Sequence, residues 1–400
     1  MHYTIWLRSQ FKALSYYNKP ISYFDNASTT QKPKFISALF EYVNFRLCAN
    51  PGRGNYFISS YIDSILLKSR KSIKHFINAN NYECVFYKSV TEASNAICIG
   101  LYNKYHKLLK IVACVDNHHS IIGPWLSNNN FNVNIIGLDV DFIPNVRQYL
   151  KLVNKNILAV VLTHMSNVLG ILVPLRLYLN ISNSSSCVSI IDGTQAVPHW
   201  KVNISKLNCT IYLIASHKLY SIGGVGLCIG KHEFLDKLKP TIIGGGGIRK
   251  ITLNPKKCLL NSTPAKHESG SPIPFSIICL SEVLKWKNKF YSCNHERNLA
   301  LYLWANLSSF KYVGFLNNWK PNMRIISFFF KNIPSVEISK FLNKISVCIR
   351  SGFHCATPLL EYLNKNNGVC RVSLGLYNTY KDVDMLLLGI KYICSLNIKA

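Results

Sequence analysis

The chain has 400 residues, of which 48% are hydrophobic, and it carries a formal net charge of +28. This length and apolar content allow a large core, which excludes a disordered protein and favours two or three domains. The lysines and arginines are scattered and accompany no nucleic-acid-binding motif, so we expect no nucleic-acid partner. No apolar run is long enough to span a membrane and no signal peptide is recognisable, so we expect a cytoplasmic protein without membrane contact.

The cysteines indicate the redox environment. Fourteen of them are spread along the chain without a C-x-x-C pair. This spacing favours neither a zinc site nor a redox dithiol, and we expect no bound metal. In a large chain without a secretory signal, cysteines are expected to remain thiols in a reducing compartment.

The predicted elements begin with a helical segment over residues 1–20, which we expect to pack against a small C-terminal domain. Strand-like and helical stretches then alternate, which predicts an α/β core with a mainly parallel sheet. A proline-rich stretch at 271–274 precedes another helix, and a smaller α+β unit follows it. We therefore expect a large domain over 21–282 and a small domain over 283–400.

A lysine follows one of the apolar, β-prone runs at the point where the strand is predicted to end. Residues 210–215 form the run, Ser216, His217 and Lys218 follow it, and glycines open a bend at 223–226. Most lysines are solvated surface residues, and that alternative stays open here. A lysine held among apolar residues instead has a lowered pKa and acts as a nucleophilic amine, as covalent binding of pyridoxal phosphate requires.

Other polar side chains follow predicted strands of the same core. Asp192 closes an apolar strand, where it either caps the next helix or pairs with a protonated pyridine nitrogen, and Gln195 lies one turn further on. His118 follows another strand and could stack on a planar cofactor. Thr91 lies in the first turn of a predicted helix, where backbone amides would bind a phosphate. Because ligands bind at the carboxyl ends of parallel strands, we expect these residues to share one site.

Eight short motifs occur along the chain in the order in which the cysteine desulfurases have them. They are FDNAS at 24–28, TEA at 91–93, HHS at 118–120, DGTQA at 192–196, SHKLY at 216–220, GGG at 244–246, RSGFHCA at 350–356 and CRVSL at 370–374. From about residue 23 to residue 389 the chain resembles that family. It is most similar to the group II branch, the SufS-like enzymes of the class V aminotransferase family, because its cysteine loop at 350–356 is short.

The resemblance implies a fold, a cofactor and a role for each matching residue. The fold would be pyridoxal-phosphate fold type I, with a mainly parallel seven-stranded sheet in the large domain. Lys218 would hold the cofactor covalently, Cys355 would be the nucleophile, and His118 would stack on the cofactor ring and take part in catalysis. Further contacts to the cofactor would come from His217, Asp192, Gln195, Thr91, Ser216 and Ser271. Contacts to the substrate would come from Arg371, Asn167 and Arg350.

The implied function is conversion of L-cysteine to L-alanine with a persulfide on Cys355, which supplies sulfur for iron–sulfur cluster assembly through a Suf-type acceptor protein. The resemblance also implies a homodimer, in which Ser271 would reach the partner's cofactor phosphate. Ala215 and Val90 stand where the family usually has hydroxyl side chains. Two alternatives stay open: a selenocysteine lyase or related aminotransferase, which would not need Cys355, and a non-catalytic scaffold, which would need none of these residues.

Overall fold

The computed structural model describes residues 2–16, 19–52, 54–105, 108–290, 294–318 and 323–397. The helices are α1 (His2–Ser9), α2 (Phe35–Glu41), α3 (Phe57–Phe76), α4 (Val90–Tyr105), α5 (His119–Leu126), α6 (Val146–Leu152), α7 (Leu175–Ser184), α8 (Ile204–Leu207), α9 (His232–Lys237), α10 (Pro274–Lys287), α11 (His295–Leu307), α12 (Ser335–Lys344), α13 (Thr357–Tyr362) and α14 (Tyr380–Asn397). The strands are β1 (Ser15–Tyr16), β2 (Lys19–Pro20), β3 (Ser22–Tyr23), β4 (Tyr82–Tyr87), β5 (Leu109–Cys114), β6 (Phe131–Ile136), β7 (Ala159–Thr163), β8 (Val188–Asp192), β9 (Ile211–Ala215), β10 (Gly226–Lys231), β11 (Ile248–Leu253), β12 (Lys256–Leu260), β13 (Val313–Phe315), β14 (Ile325–Phe330), β15 (Val347–Cys348), β16 (Arg350–Gly352) and β17 (Val369–Ser373).

Seven strands form the central sheet in the spatial order β6-β5-β7-β8-β9-β10-β4. The five strands β6, β5, β7, β8 and β9 are parallel to one another, whereas β10 runs antiparallel to both β9 and β4. Strands β7 and β9 are buried along their full length, as parallel strands with helices on both faces are. The mainly parallel seven-stranded sheet of the sequence prediction is confirmed.

Alternate side chains of the central strands enter two different cores. In β7, Val160 and Leu162 belong to the core that contains Tyr149 of α6. Val161 belongs to the core on the other face, which contains Trp125 of α5. This follows from the two-residue period of a strand. Because both faces of the sheet are covered by apolar packing, a ligand can reach it at the strand ends.

A second sheet has the order β13-β14-β17-β16 and is antiparallel. Its apolar core is shared with α11, α12 and α14. The chain start joins this unit, because β3 pairs in parallel with β15 and Asp25 forms a bridge to Ser373. The strands of the two sheets lie on opposite sides of the predicted boundary between residues 282 and 283, and the domain division itself stays a prediction.

The N-terminal segment is helical over a shorter stretch than expected. Helix α1 ends at Ser9, and β1 pairs with β2 in a short hairpin. Met1 and residues 17–18 lie outside the described residues. The residue before Pro20 favours an extended backbone, which suits a strand rather than a helix. Arg8 contacts Asp382 of α14 at 2.8 Å, and the ring of Phe11 lies 6.0 Å from that of Trp286 in α10. The segment therefore contacts both the C-terminal helix and α10, and its assignment to a small domain stays a prediction.

Candidate active site

The carboxyl ends of β4, β5, β7, β8 and β9 lie along one edge of the central sheet, and a cavity of about 200 Å³ opens there. Part of its wall comes from the second sheet and from the loop that follows β16. The structure brings ten of the twelve predicted site residues together in this wall: Thr91, His118, Asn167, Asp192, Gln195, His217, Lys218, Arg350, Cys355 and Arg371. The predicted convergence of strand ends therefore matches the position of the cavity.

Lys218 ends a short 3-10 turn, Ser216–Lys218, that directly follows β9. The turn is held in place by Thr30, whose backbone N–H donates to His217 O at 3.1 Å and whose hydroxyl accepts from Tyr220 N at 2.7 Å. Burial lowers the pKa of Lys218 to about 8, and the nearby carboxylate of Asp192 partly opposes that shift. At pH 7 about a tenth of the amine is therefore neutral and nucleophilic, and this fraction grows as the pH approaches 8.

Asp192 is the last residue of β8, and its side chain is buried. Its Oδ1 accepts a hydrogen bond from Thr194 N at 3.0 Å. Burial raises the pKa of Asp192, while that hydrogen bond and the charge of Lys218 act in the opposite direction. Gln195 lies beside it and donates from Nε2 to Ala27 O at 2.8 Å. A buried carboxylate of this kind gains stability from a cationic partner, such as a protonated pyridine nitrogen.

His118 is the N-cap of α5, and its Nδ1 accepts from Ser120 N at 3.1 Å. Burial is the main cause that lowers the pKa of His118 to about 3, and the charge of Lys218 adds to the effect. The imidazole is therefore neutral, and with Nδ1 accepting, its proton lies on Nε2. A neutral ring in the cavity wall suits stacking on a planar aromatic ligand.

The first turn of α4 forms one end of the cavity, with Ser89, Val90 and Thr91 in its wall. The hydroxyl of Ser89 accepts from Glu92 N at 3.1 Å, so it caps the helix. β10 passes so close that a Cβ atom on Gly226 would lie 2.2 Å from the Ser89 carbonyl carbon. The unpaired backbone N–H groups and the dipole at this helix start favour a phosphate.

Ser216 and Ser271 lie outside this cavity wall. The hydroxyl of Ser216 donates to Ile222 O at 2.7 Å, while Ala215 lies in the cavity wall. Ser271 lines a second cavity of about 90 Å³, together with Lys88. Its expected contact would be made to a second subunit, so this role of Ser271 stays a prediction.

Two arginines from the second sheet face each other across the β16–β17 register, Arg350 opposite Arg371. Arg371 is 2% exposed, and its guanidinium donates to Asp25 Oδ1 at 3.1 Å, Ser28 Oγ at 2.9 Å and Asn167 O at 3.1 Å. Arg350 also donates to Ser28 Oγ. Burial is the main cause that lowers the pKa of Arg371 to about 10. Like charges directly opposite destabilise a strand pair, so the pair indicates a binding position for an anion.

Cys355 is half-buried in the loop between β16 and α13. Both His354 and Cys355 have left-handed backbone conformations, with φ of 53° and 54°, which are uncommon for residues other than glycine. Three hydrogen bonds hold the loop: His119 N donates to Cys355 O at 2.9 Å, Asn167 Nδ2 to His354 O at 2.8 Å, and His354 Nε2 to Val369 O at 3.0 Å. The thiol and Lys218 therefore line one cavity.

The cavity fits pyridoxal phosphate. Within the described part of the chain, buried polar atoms of three cavity-lining residues lack a hydrogen-bond partner, namely Thr194 Oγ1, His354 Nδ1 and Arg371 Nε. Buried polar atoms are normally paired, so these atoms indicate a polar ligand. Lys218 suits the aldehyde of the cofactor, Asp192 suits its pyridine nitrogen, and the start of α4 suits its phosphate. The arginines remain for a substrate carboxylate.

Sequence reasoning did not assign roles to the partners of these arginines. Asp25 and Ser28 belong to the quoted FDNAS motif, so the signal was present, but only the structure joins them to Arg371. The sequence places His119 with His118 after a strand, as a ring that could stack on a planar cofactor, and only the structure joins it to the loop of Cys355. Among the residues described, no three His, Cys, Asp or Glu side chains lie close enough to hold a metal ion. In the same residues, no helix has the length and apolar character needed to cross a membrane.

Comparisons with known proteins identify the family and the fold. The family model for Aminotransferase class-V matches residues 22–386. A cysteine desulfurase of Wigglesworthia glossinidia brevipalpis is 29% identical over 395 residues, covering 94% of each chain. The apo structure of a cysteine desulfurase from Thermococcus onnurineus NA1 superimposes with a TM-score of 0.90 at 25% identity, covering 97% of each chain. The cysteine desulfurase CsdA of Escherichia coli, in its S-sulfonic acid form, has a TM-score of 0.88 at 24% identity, covering 98% of each chain.

The fold is thus the α/β fold type I that the motifs implied, with its cavity at the expected sheet edge. The family model spans nearly the whole described chain, from β3 into α14. The chain belongs to the class V aminotransferase family.

Proposed function

We propose that this protein is a pyridoxal-phosphate-dependent cysteine desulfurase, which converts L-cysteine to L-alanine and leaves a persulfide on Cys355. The observation that carries the proposal is that Cys355 and Lys218 line the same cavity. An aminotransferase needs the lysine but has no use for a thiol in this place. The relatives named cysteine desulfurase support the same activity.

Each residue of the cavity has a task in this reaction. Arg371 and Arg350 bind the carboxylate of the substrate. When bound, pyridoxal phosphate supplies an electron sink for negative charge at the substrate α-carbon. Lys218 Nζ takes the α-proton, which its pKa of about 8 allows near neutral pH.

The sulfur transfer step balances without an external oxidant. The Cys355 thiolate attacks the substrate sulfur, so that an S–S bond forms and the bond between the β-carbon and sulfur breaks. The electron pair of the broken bond stays with the carbon side, which then takes up a proton. One cysteine and one enzyme thiol thus become one alanine and one enzyme persulfide.

The finer points of the proposal concern the subtype, its partners and its location. We assign the chain to the group II, Suf-system branch, because its loop at 350–356 is short and is held in place by hydrogen bonds. A homodimer is supported by exposed aromatic side chains, among them Phe45 at 75% and Phe57 at 79% exposure.

The thirteen cysteines among the described residues are free thiols, which supports a reducing compartment such as the cytoplasm. The sulfur would pass to a Suf-type acceptor protein for iron–sulfur cluster assembly, and the domains would divide at 282/283.

A substrate comparison tests the proposal. The protein reconstituted with pyridoxal phosphate should form alanine from L-cysteine, and Cys355→Ser should bind the cofactor normally yet form little alanine. Cys258→Ser, which changes an exposed thiol of the β12 hairpin strand, serves as the control. A Cys355→Ser variant as active as the wild type on cysteine would overturn the proposal.

The two alternatives predict different results in the same assay. A selenocysteine lyase would release selenium from L-selenocysteine with equal rates in the wild type and Cys355→Ser. A non-catalytic scaffold would form neither alanine nor a cofactor linkage at Lys218. The partly neutral amine of Lys218 and the buried carboxylate of Asp192 argue against a scaffold, since both are costly in a protein that has no use for them.

A further inference from the structure

Helix α13 begins directly after the loop that carries Cys355, and it lacks an N-cap of its own. The residue that precedes the helix is Ala356, whose methyl side chain can accept no hydrogen bond. The first N–H groups of a helix have no acceptor within the helix and usually receive one from a Ser, Thr, Asp or Asn side chain at the N-cap. An acceptor for α13 must therefore come from elsewhere.

His119, the exposed first residue of α5, provides that acceptor. Its Nε2 accepts from Thr357 N at 3.1 Å and lies 2.8 Å from Thr357 Oγ1. Its backbone N–H donates to Cys355 O at 2.9 Å. Accepting at Nε2 requires a free lone pair on that nitrogen, which corresponds to the tautomer with its proton on Nδ1. One residue of α5 thus binds both the carbonyl of the nucleophile and the first turn of the helix that follows it.

We propose that His119 is a positioning residue that holds the Cys355 thiol in place relative to Lys218, an inference that rests on the function proposed above. The preceding residue, His118, lies in the cavity wall beside the cofactor position. We call the part of the cavity wall with Lys218, Asp192 and His118 the cofactor side, and the loop with Cys355 the sulfur side. The dipeptide of His118 and His119 therefore connects the two sides. A displacement of the thiol by about 1 Å is enough to lower a transfer rate strongly.

The hydrogen bonds that join His119 to Cys355 and Thr357 are called the clamp. The loop needs them because its backbone is strained. Two consecutive non-glycine residues, His354 and Cys355, hold left-handed conformations that persist only where surrounding contacts impose them. Asn167 binds the carbonyl of His354 independently of His119. Removal of the His119 ring should therefore loosen the loop without unfolding the protein.

Three variants separate positioning from a general structural role. His119→Ala removes the acceptor, His119→Gln places an amide oxygen at a similar reach, and His232→Ala removes an exposed histidine that contacts Glu83 far from the loop. All three leave the backbone N–H of residue 119 in place. Two measurements on the cofactor-free protein read the clamp directly: amide hydrogen exchange of peptides covering 353–362, and alkylation of Cys355 by iodoacetamide followed by mass spectrometry.

In His119→Ala we expect exchange at Thr357 to rise about tenfold and alkylation of Cys355 to rise about threefold, because the loop opens more often. In the reconstituted enzyme, kcat for alanine formation should fall about tenfold while KM for cysteine stays within about twofold. His119→Gln should restore most of each value, and His232→Ala should match the wild type. A thiol that becomes more reactive to a reagent yet less effective on the substrate is the signature of lost positioning.

Unchanged exchange and alkylation in His119→Ala would overturn the inference, as would a failure of His119→Gln to restore kcat. A wild-type enzyme that forms no alanine would instead overturn the proposed function. In that case faster exchange with rescue by glutamine still supports the clamp, because neither measurement on the cofactor-free protein depends on turnover.

Discussion

The cofactor side and the sulfur side of the cavity are built in different ways. Asp192 ends a strand of the central sheet, and Lys218 and His118 each follow one, so the regular register of parallel strands brings them together. Cys355 lies in a strained loop whose place depends on hydrogen bonds from His119 and Asn167. Regular structure thus fixes the groups that we propose to hold the cofactor, whereas a few long-range contacts fix the thiol that we propose to take the sulfur.

The largest effect is expected on the cofactor side. Lys218→Ala should lose the borohydride-reducible linkage to pyridoxal phosphate, and alanine formation should fall on the order of 10⁴-fold, because the covalent anchor and the base for the α-proton are lost together. The absorption spectrum with and without borohydride, and an alanine assay, measure both.

Lys32 offers a matched control for this variant. Burial also lowers its pKa to about 8, and its ammonium donates to Thr29 Oγ1 at 3.1 Å and to His217 O at 3.3 Å, but Lys32 does not line the cavity. Lys32→Met should keep the linkage. If Lys218→Ala retains a reducible linkage and turnover, the assignment of the cofactor lysine is wrong.

A smaller effect is expected at the two arginines of the second sheet, which we propose to bind the substrate. Arg371→Lys keeps the charge but loses the planar fork of donors, so KM for cysteine should rise about 30- to 100-fold, with a smaller change in kcat. Arg350 lies in β16, opposite Arg371 of β17. Arg350→Lys should raise KM less than about tenfold, since fewer contacts fix the Arg350 side chain. Steady-state kinetics of both variants test this order, and equal effects would contradict it.

The smallest effect concerns stability. It is a gain in the free energy of unfolding, whereas the preceding variants lose activity or affinity. The ordinary pKa of a lysine is 10.5 and that of Lys218 is about 8. Its charge is therefore unfavourable in the folded cofactor-free protein at neutral pH. Lys218→Met should raise the free energy of unfolding by about 2 kcal/mol at pH 7, after allowance for water at the cavity wall.

The pH dependence of that gain checks its cause. Between pH 8 and about 10 the unfolded chain binds more protons at this site than the folded chain, so wild-type stability rises with pH and the advantage of Lys218→Met shrinks. Urea unfolding at pH 7 and at about pH 9.5 measures the difference. A gain that is the same at both pH values would contradict burial of the charge as its source.

The two sides also differ in how well the sequence predicts them. Apolar runs that end in Asp192 or lead to Lys218 predict strand ends, and strand ends of a parallel sheet converge, so the cofactor side follows from local patterns. Seven of the ten predicted residues in the cavity wall lie there for this reason, whereas Arg350, Cys355 and Arg371 come from the second sheet and the loop that follows β16. The clamp by His119 joins residues 238 positions apart, and local patterns carry no information on such a contact.

Local patterns also could not resolve some finer features. The β1–β2 hairpin within the predicted N-terminal helical segment pairs only two residues on each side, too few to give a recognisable alternation. Ser216 directly precedes His217 and Lys218, yet its hydroxyl donates to Ile222 O a few residues further along the chain. Adjacency in sequence does not determine which way a side chain points in a tight turn.

The most direct test of the account is the location of the transferred sulfur. The reconstituted protein is incubated with L-cysteine, trapped with an alkylating reagent and digested, and each cysteine peptide is weighed by mass spectrometry. We predict one additional sulfur on the peptide that contains Cys355, with the other thirteen cysteines of the chain as internal controls. Additional sulfur found only on other cysteines, or full alanine formation with none on Cys355, would contradict the account.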